Sequence, residues 1–254
     1  MLPRYRIPRH LFVSVAFDLL RDSPRSFRGD ARVCANAVRP PLAYTGCEYI
    51  PAQPCVITIN HFTRPGFPAW WLALGVSAAI PADVHWLVTA AWTFPGRSWA
   101  RWGERASRTI LDRLVRMYGF SSMPPMPPRP DELQARVRSV RRLLDSVRLD
   151  RSGWIGIAPE GRDGPGGVLQ APPPGSGRLL LLLAGLGLPC LPAGVFEQDH
   201  VCHVCFGQPY HLAGMTNLPA RERDRQASQI AMQRLAALLP ERLRGPYDEL
   251  SWKE

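Results

Sequence analysis

Lysine is almost missing from this chain. Of 31 basic residues in 254, only Lys253 is lysine, so the formal net charge of +10, against 21 acidic residues, rests on arginine. Other shortages exclude whole classes. Six cysteines in a chain this long make no disulfide framework, and a reducing compartment suits them. Cys202 and Cys205 form one C-x-x-C with no second pair at a matching spacing, and their alternating run reads as a strand. Gly185-x-Gly187 lacks the third glycine of a dinucleotide loop, and Gly175-Ser176-Gly177 lacks the frame of a nucleophile elbow. No metal and no resident cofactor are expected. There is no glycine period, and a hydrophobic share of 46% excludes a disordered polybasic chain. No small-residue cleavage site follows the first apolar run, so no secretory signal is expected.

What the sequence does have is a large, unevenly distributed positive charge. It calls for an anionic partner or surface. Residues 1–40 hold eight arginines and three aspartates; residues 97–148 hold twelve arginines and five acids. Leu11 to Leu20 is apolar apart from Ser14 and Asp18, too short to cross a bilayer. Two readings of this helix stand open: a helix docked on the main domain, or an anchor on an anionic membrane surface. Nucleic acid is not expected as a partner, because the arginines flank apolar helices and no recognition motif is present.

Further along, strands and helices alternate. Residues 54–60, 83–91, 153–158, 188–195 and 201–206 read as strands. Residues 65–82, 97–118, 131–147 and 178–186 read as helices, and the proline-rich run 121–130 as an extended loop. Prolines and glycines break the two apolar runs 65–82 and 179–196, so neither is a membrane span. The expected class is α/β, a mixed and mostly parallel sheet covered by helices, with an N-terminal amphipathic helical element. The expected divisions are 1–40, a basic helical segment; 41–218, the α/β domain; and 219–254, a charged C-terminal helix packed on it.

Three segments fall in one order: Ile57-Thr58-Ile59-Asn60-His61, then Ala158-Pro159-Glu160-Gly161-Arg162, then Leu188-Pro189-Cys190-Leu191-Pro192-Ala193-Gly194-Val195. Phe206-Gly207-Gln208-Pro209-Tyr210 follows. This series resembles the lysophospholipid acyltransferase family, best known for the 1-acyl-glycerol-3-phosphate acyltransferases. That family carries Asn-His-x4-Asp after a strand, then Phe-Pro-Glu-Gly-Thr-Arg or a close variant, then a proline-rich strand. The resemblance implies transfer of a fatty acyl group from acyl-CoA or acyl carrier protein to the hydroxyl of a lysophospholipid-like acceptor. It implies work at the cytoplasmic face of a membrane, as a peripheral or monotopic protein.

The chemistry fits such residues. A neutral histidine takes the alcohol proton, and donors must meet the developing oxyanion. On the resemblance, His61 is the catalytic base. Asn60, Arg64, Glu160, Gly161 and Arg162 are substrate-binding candidates, with Arg162 pairing with the acceptor's phosphate. One departure stands out: Gly66 occupies the place of the motif's aspartate, and no acid lies between Glu48 and Asp83. Glu160, Asp163 or a main-chain carbonyl are the candidate substitutes. The family's middle arginine has three candidates, Arg97, Arg105 and Arg113. The alternative reading is an acyltransferase homologue that has lost turnover and binds lipid or an acyl carrier.

Overall fold

The computed structural model describes residues 2–248, apart from 95, 127–128, 150–152, 214 and 216. Lys253 and the end of the expected 219–254 segment lie outside the described residues. Among the described residues, seven strands form one sheet: β1 (Ala43–Thr45), β2 (Val56–Ile59), β3 (Val84–Thr89), β4 (Ser121–Met123), β5 (Trp154–Ile157), β6 (Cys190–Gln198) and β7 (Val201–Phe206). Their order is β1-β7-β6-β2-β5-β3-β4. All neighbours run parallel except β6 and β7, which form an antiparallel hairpin. The expected mixed, mostly parallel sheet is what the chain forms. Its central strands, Val-Ile-Thr-Ile in β2 and Trp-Ile-Gly-Ile in β5, are buried at every position. That matches apolar runs with no alternation, which strands covered on both faces require.

Among the described residues, seven α-helices surround the sheet: α1 (Arg9–Arg21), α2 (Phe27–Ala37), α3 (Trp70–Ala79), α4 (Ala100–Tyr118), α5 (Leu133–Leu149), α6 (Ser176–Ala184) and α7 (Ala220–Ala236). One apolar core gathers α2 and α3 against the sheet; the other gathers α5 and α6, and α7 feeds both. Among the described residues, no helix is long and apolar enough to cross a membrane. The proline-rich run expected as a loop contributes β4 at the sheet edge, since its extended backbone before Pro124 suits pairing with β3. The N-terminal segment holds two helices where one apolar run was visible. Ser26 caps α2 by accepting from the Gly29 N–H at 3.0 Å, and Phe27, Ala31 and Cys34 bury themselves toward α3. Arg25 ties these elements together: it bonds Ser14 and Asp18 of α1 and Asp30 of α2, and Tyr118 of α4 also donates to Asp30.

β5 is held close to β3 by one tight fit. Gly156 pairs in register with Trp86, and the Trp86 indole lies across its Cα. The indole N–H donates to Ser77 of α3 at 2.9 Å, so the ring is fixed from both ends. A methyl at position 156 would meet ring carbons at 2.2–2.5 Å. Gly156→Ala is therefore expected to destabilise the fold by about 1–3 kcal/mol, lowering Tm by several degrees. A calorimetric scan showing an unchanged Tm would refute this account of the β3–β5 contact.

Candidate active site

Parallel pairing brings the first two segments to one edge. Thr58 of β2 lies opposite Ile157 of β5, so both strands end together and release Asn60-His61 and Ala158-Pro159-Glu160 side by side. On the other flank, Ile59 lies opposite Ala193 of β6. The chain leaves β2 toward β3 on one side and leaves the neighbouring β6 toward β7 on the other, and the C-terminal ends of these parallel strands meet there, the usual location of a site in an open α/β sheet.

Two buried polar clasps fix this edge. Asn60 has no exposed surface; its amide donates to the Val195 carbonyl at 2.8 Å, and its oxygen accepts from the Val195 N–H at 2.7 Å. The carboxamide acts as a strand residue would, extending the β2–β6 ladder. With one N–H and its oxygen engaged inside the protein, Asn60 lies beneath the edge and braces β2 against β6. Glu160 is 1% exposed. One carboxylate oxygen accepts from the His61 main-chain N–H and the other from the Gln170 N–H, each at 2.7 Å. Burial pushes the Glu160 carboxyl up to about 7, against the two N–H bonds that favour its charged form, and the neighbouring Asp163 charge adds to the rise.

The His61 imidazole is mostly buried, and desolvation lowers its pKa below the ordinary histidine value; the Asp163 carboxylate works in the opposite direction. The ring is thus held neutral near pH 7. Its Nδ1 is buried with no hydrogen-bond partner among the described residues. Of the candidate orienting groups, Glu160 is engaged on main chain, and Asp163 is the carboxylate whose charge acts on the ring. The loop behind them presses close: a methyl at Gly167, where φ is +73°, would meet the Phe62 ring at 2.7 Å and the Thr63 nitrogen at 3.1 Å.

The remaining candidates separate. Gly161 has φ +65°, a left-handed turn that glycine adopts without strain, and it carries the chain from buried Glu160 out to exposed Arg162. Arg162 makes no ion pair among the described residues. Arg64 instead forms a bidentate pair with Glu197 at the end of β6, and Tyr5 donates to the same carboxylate at 2.5 Å. Gly66, with φ +78°, faces Arg64: a Cβ there would lie 3.7 Å from its Nη1. Arg105 and Arg113 ride on α4, which packs on β3 and β4, and Arg105 lies over the Trp102 ring. That places them two strands from β2. Arg97 lies exposed just before α4. Sequence reasoning missed Tyr5, Gln170 and Glu197. Glu197, an acid at the end of an apolar strand, carried a signal; Tyr5 carried none. A cleft of about 540 Å³ opens beside this edge, lined in part by Phe62, Arg64, Gly166, Glu197 and Arg242.

No family model matches the chain, and no curated protein matches its sequence. Four chains of solved structure match it. One is the 1-acyl-sn-glycerophosphate (LPA) acyltransferase PlsC from Thermotoga maritima, at TM-score 0.49 and 12% identity over 89% of each chain. The chemistry is therefore read from the residues of the site.

Glu160 sets a pH signature. Its carboxyl binds a proton in the folded state up to about pH 7 but only to about 4.5 when unfolded. The folded state thus holds the extra proton in that window, and stability falls as pH rises through it, by about 3 kcal/mol in all. In Glu160→Gln this fall should vanish. Urea midpoints at about pH 5 and pH 7.5 check it, and parallel pH profiles for both proteins would contradict the placement of Glu160.

Proposed function

We propose that the protein transfers an acyl group from a thioester to an alcohol, with His61 as general base. The observation that carries this reading is the 2.7 Å bond from the His61 main chain to Glu160, which brings a desolvated, neutral imidazole beside the Glu160-Gly161-Arg162 turn. The acceptor hydroxyl gives its proton to the imidazole as its oxygen attacks the thioester carbon. The carbon–sulfur bond then breaks, and the leaving thiolate takes the proton back from the imidazolium. Ester and thiol are the products, and no further reactant is needed. Since Nδ1 is enclosed, Nε2 is the nitrogen assigned to the alcohol. Asp163 stabilises the imidazolium by charge from the loop after β5, in the absence of an acid at Gly66.

Arg162, exposed at the turn, is the clamp for a phosphate on the acceptor, which makes a lysophospholipid the favoured acceptor class. Acyl-CoA or acyl carrier protein is the donor class. The outer face of α1 supports action at a membrane surface: Phe12, Val13, Phe17 and Leu20 are 52–75% exposed, and Leu11 is its one buried residue. A second reading, binding without turnover, is favoured by the unpartnered Nδ1 and by Gly66.

A labelled acyl-donor assay across a panel of lyso-lipid acceptors separates the two. His61→Ala is expected to lower kcat by about 10²–10⁴-fold with the fold intact. No transfer by the wild type on any acceptor would favour the binding reading. Because the imidazole must be neutral, the limb of kcat/KM that His61 sets should lie on the acid side of the ordinary histidine value. Asp163→Asn should move that acidic limb to still lower pH and cut the plateau about tenfold, some 1.4 kcal/mol. An unmoved limb would remove Asp163 from the mechanism.

A further inference from the structure

The His61 ring has no hydrogen bond at its enclosed nitrogen, so its place depends on the main chain that carries it. That chain has few supports. The His61 N–H is held by Glu160. Phe62 and Thr63 make no main-chain hydrogen bond among the described residues. The next fixed point is Arg64. Its Nη2 donates to Glu197 Oε1 at 2.8 Å, its Nε donates to Oε2, and its Nη1 donates to the Pro65 carbonyl at 2.9 Å. The Phe67 N–H then closes the turn on the Arg64 carbonyl at 3.0 Å. Glu197 stands near the far end of β6, past Ala193, which lies opposite Ile59. Its main-chain carbonyl accepts from Arg242 at 3.0 Å. The Tyr5 hydroxyl donates to its carboxylate, and the Tyr5 ring packs against Phe67 and Trp71, each with centroids 5.1 Å apart. The Arg64–Glu197 pair is largely enclosed, so salt and water screen it little.

We propose that Glu197 is a positioning residue for His61, acting through Arg64 and locked in place by Tyr5. Together with Glu160 it suspends the stretch from His61 to Arg64 between two carboxylates, one on each neighbour of β2. The proposal rests on the reading of His61 as general base. A base must lie within hydrogen-bond reach of the proton it takes, and a displacement of about 1 Å is enough to cost about 10²-fold in rate. A bidentate guanidinium–carboxylate pair restricts plane as well as distance, which a single bond does not. Four parts of the chain meet on this one acid: the segment before α1, the loop after β2, β6 itself and the turn that carries Arg242. Releasing it frees the His61 loop at the one end that Glu160 does not hold.

Diethyl pyrocarbonate acylates accessible neutral imidazole, and peptide mass spectrometry reads its rate histidine by histidine. The variants are Glu197→Gln and Tyr5→Phe; the second removes one hydroxyl and keeps the ring packing on Phe67 and Trp71. Asp30→Asn, which breaks the Arg25 pair away from this edge, is the comparison for general loosening. His61 is expected to react at least about fivefold faster in the two variants, with His85 and His211 unchanged and no such rise in Asp30→Asn. On an acceptor that the wild type turns over, Glu197→Gln should lower kcat about 10–100-fold and leave KM within about twofold, with Tyr5→Phe moving in the same direction. An unchanged His61 rate, or an equal rise in Asp30→Asn, would overturn the proposal. So would a raised KM with kcat unchanged, which would make the pair a wall for substrate instead of a support for the base. Wild-type protein that turns over no acceptor would sink the transfer reading alone, and the modification rates would still decide whether Glu197 holds the ring.

Discussion

The Glu160 carboxylate, buried and shared between the N–H groups of His61 and Gln170, is the interaction on which the site edge depends. A buried carboxylate is costly unless its oxygens are met. Here each oxygen meets one main-chain donor, from two loops that belong to different strand ends. Satisfying the acid therefore requires both loops to be in place at once. The carboxyl's high pKa shows that desolvation outweighs the two bonds. Near neutral pH it is poised between charge states, so the group that organises the edge also makes it sensitive to proton concentration. Asn60 repeats the logic on the other flank. There a neutral amide joins β2 to Val195 and carries no such cost.

Between those clasps, His61 has its backbone fixed and its ring largely enclosed. Enclosure does what a base at neutral pH requires, because it disfavours the imidazolium until a proton is delivered. It also creates a demand: the imidazolium, once formed, needs compensation. In the sequence, the missing acid at Gly66 looks like a defect. In the fold, an acid arrives from the facing loop, where Asp163 lies three residues past Glu160 and acts on both side chains. Position 66, by contrast, has a left-handed backbone, and a Cβ there would come within 3.7 Å of the Arg64 guanidinium.

Much of the sheet was legible because its central strands are short apolar runs. Val56–Ile59, Trp154–Ile157 and Cys190–Gln198 stood out by composition, and their parallel order followed from the helical patterns between them. α2 was not, because Phe-Arg-Gly-Asp-Ala-Arg-Val-Cys-Ala-Asn-Ala buries small residues against α3, and small residues leave little periodic signal. β1 and β4 were not, because three-residue edge strands are defined by their partners and not by their own composition. At the site, proximity of His61 and Glu160 was legible from the order of the motifs. The use of each group was not. The resemblance made Asn60 and Glu160 substrate-binding candidates, and Glu160 also a candidate orienting acid; their bonds to Val195, His61 and Gln170 appear only in three dimensions. Arg64 read the same way, and only the strand order, which puts the end of β6 beside the loop after β2, reveals Glu197 as its partner.

The arginine excess also resolves by position. A chain with ten more bases than acids cannot pair them all, so the pattern of pairing carries information. Arg25 and Arg64 are less than one-fifth exposed and take three of the acids, and their pairings join separate elements of the fold. Pairs such as Arg116–Asp22 and Arg148–Asp145 lie in water and contribute little. At these two places acids meet guanidinium groups whose burial would make them costly unpaired. Arginines left over are pushed to surfaces where water tolerates them. Among these, Arg162 stands on the turn beside His61, and Arg6 and Arg9 stand at the start of a helix whose outer face is apolar. At the second of these places the charge adjoins the exposed Phe12, Val13, Phe17 and Leu20.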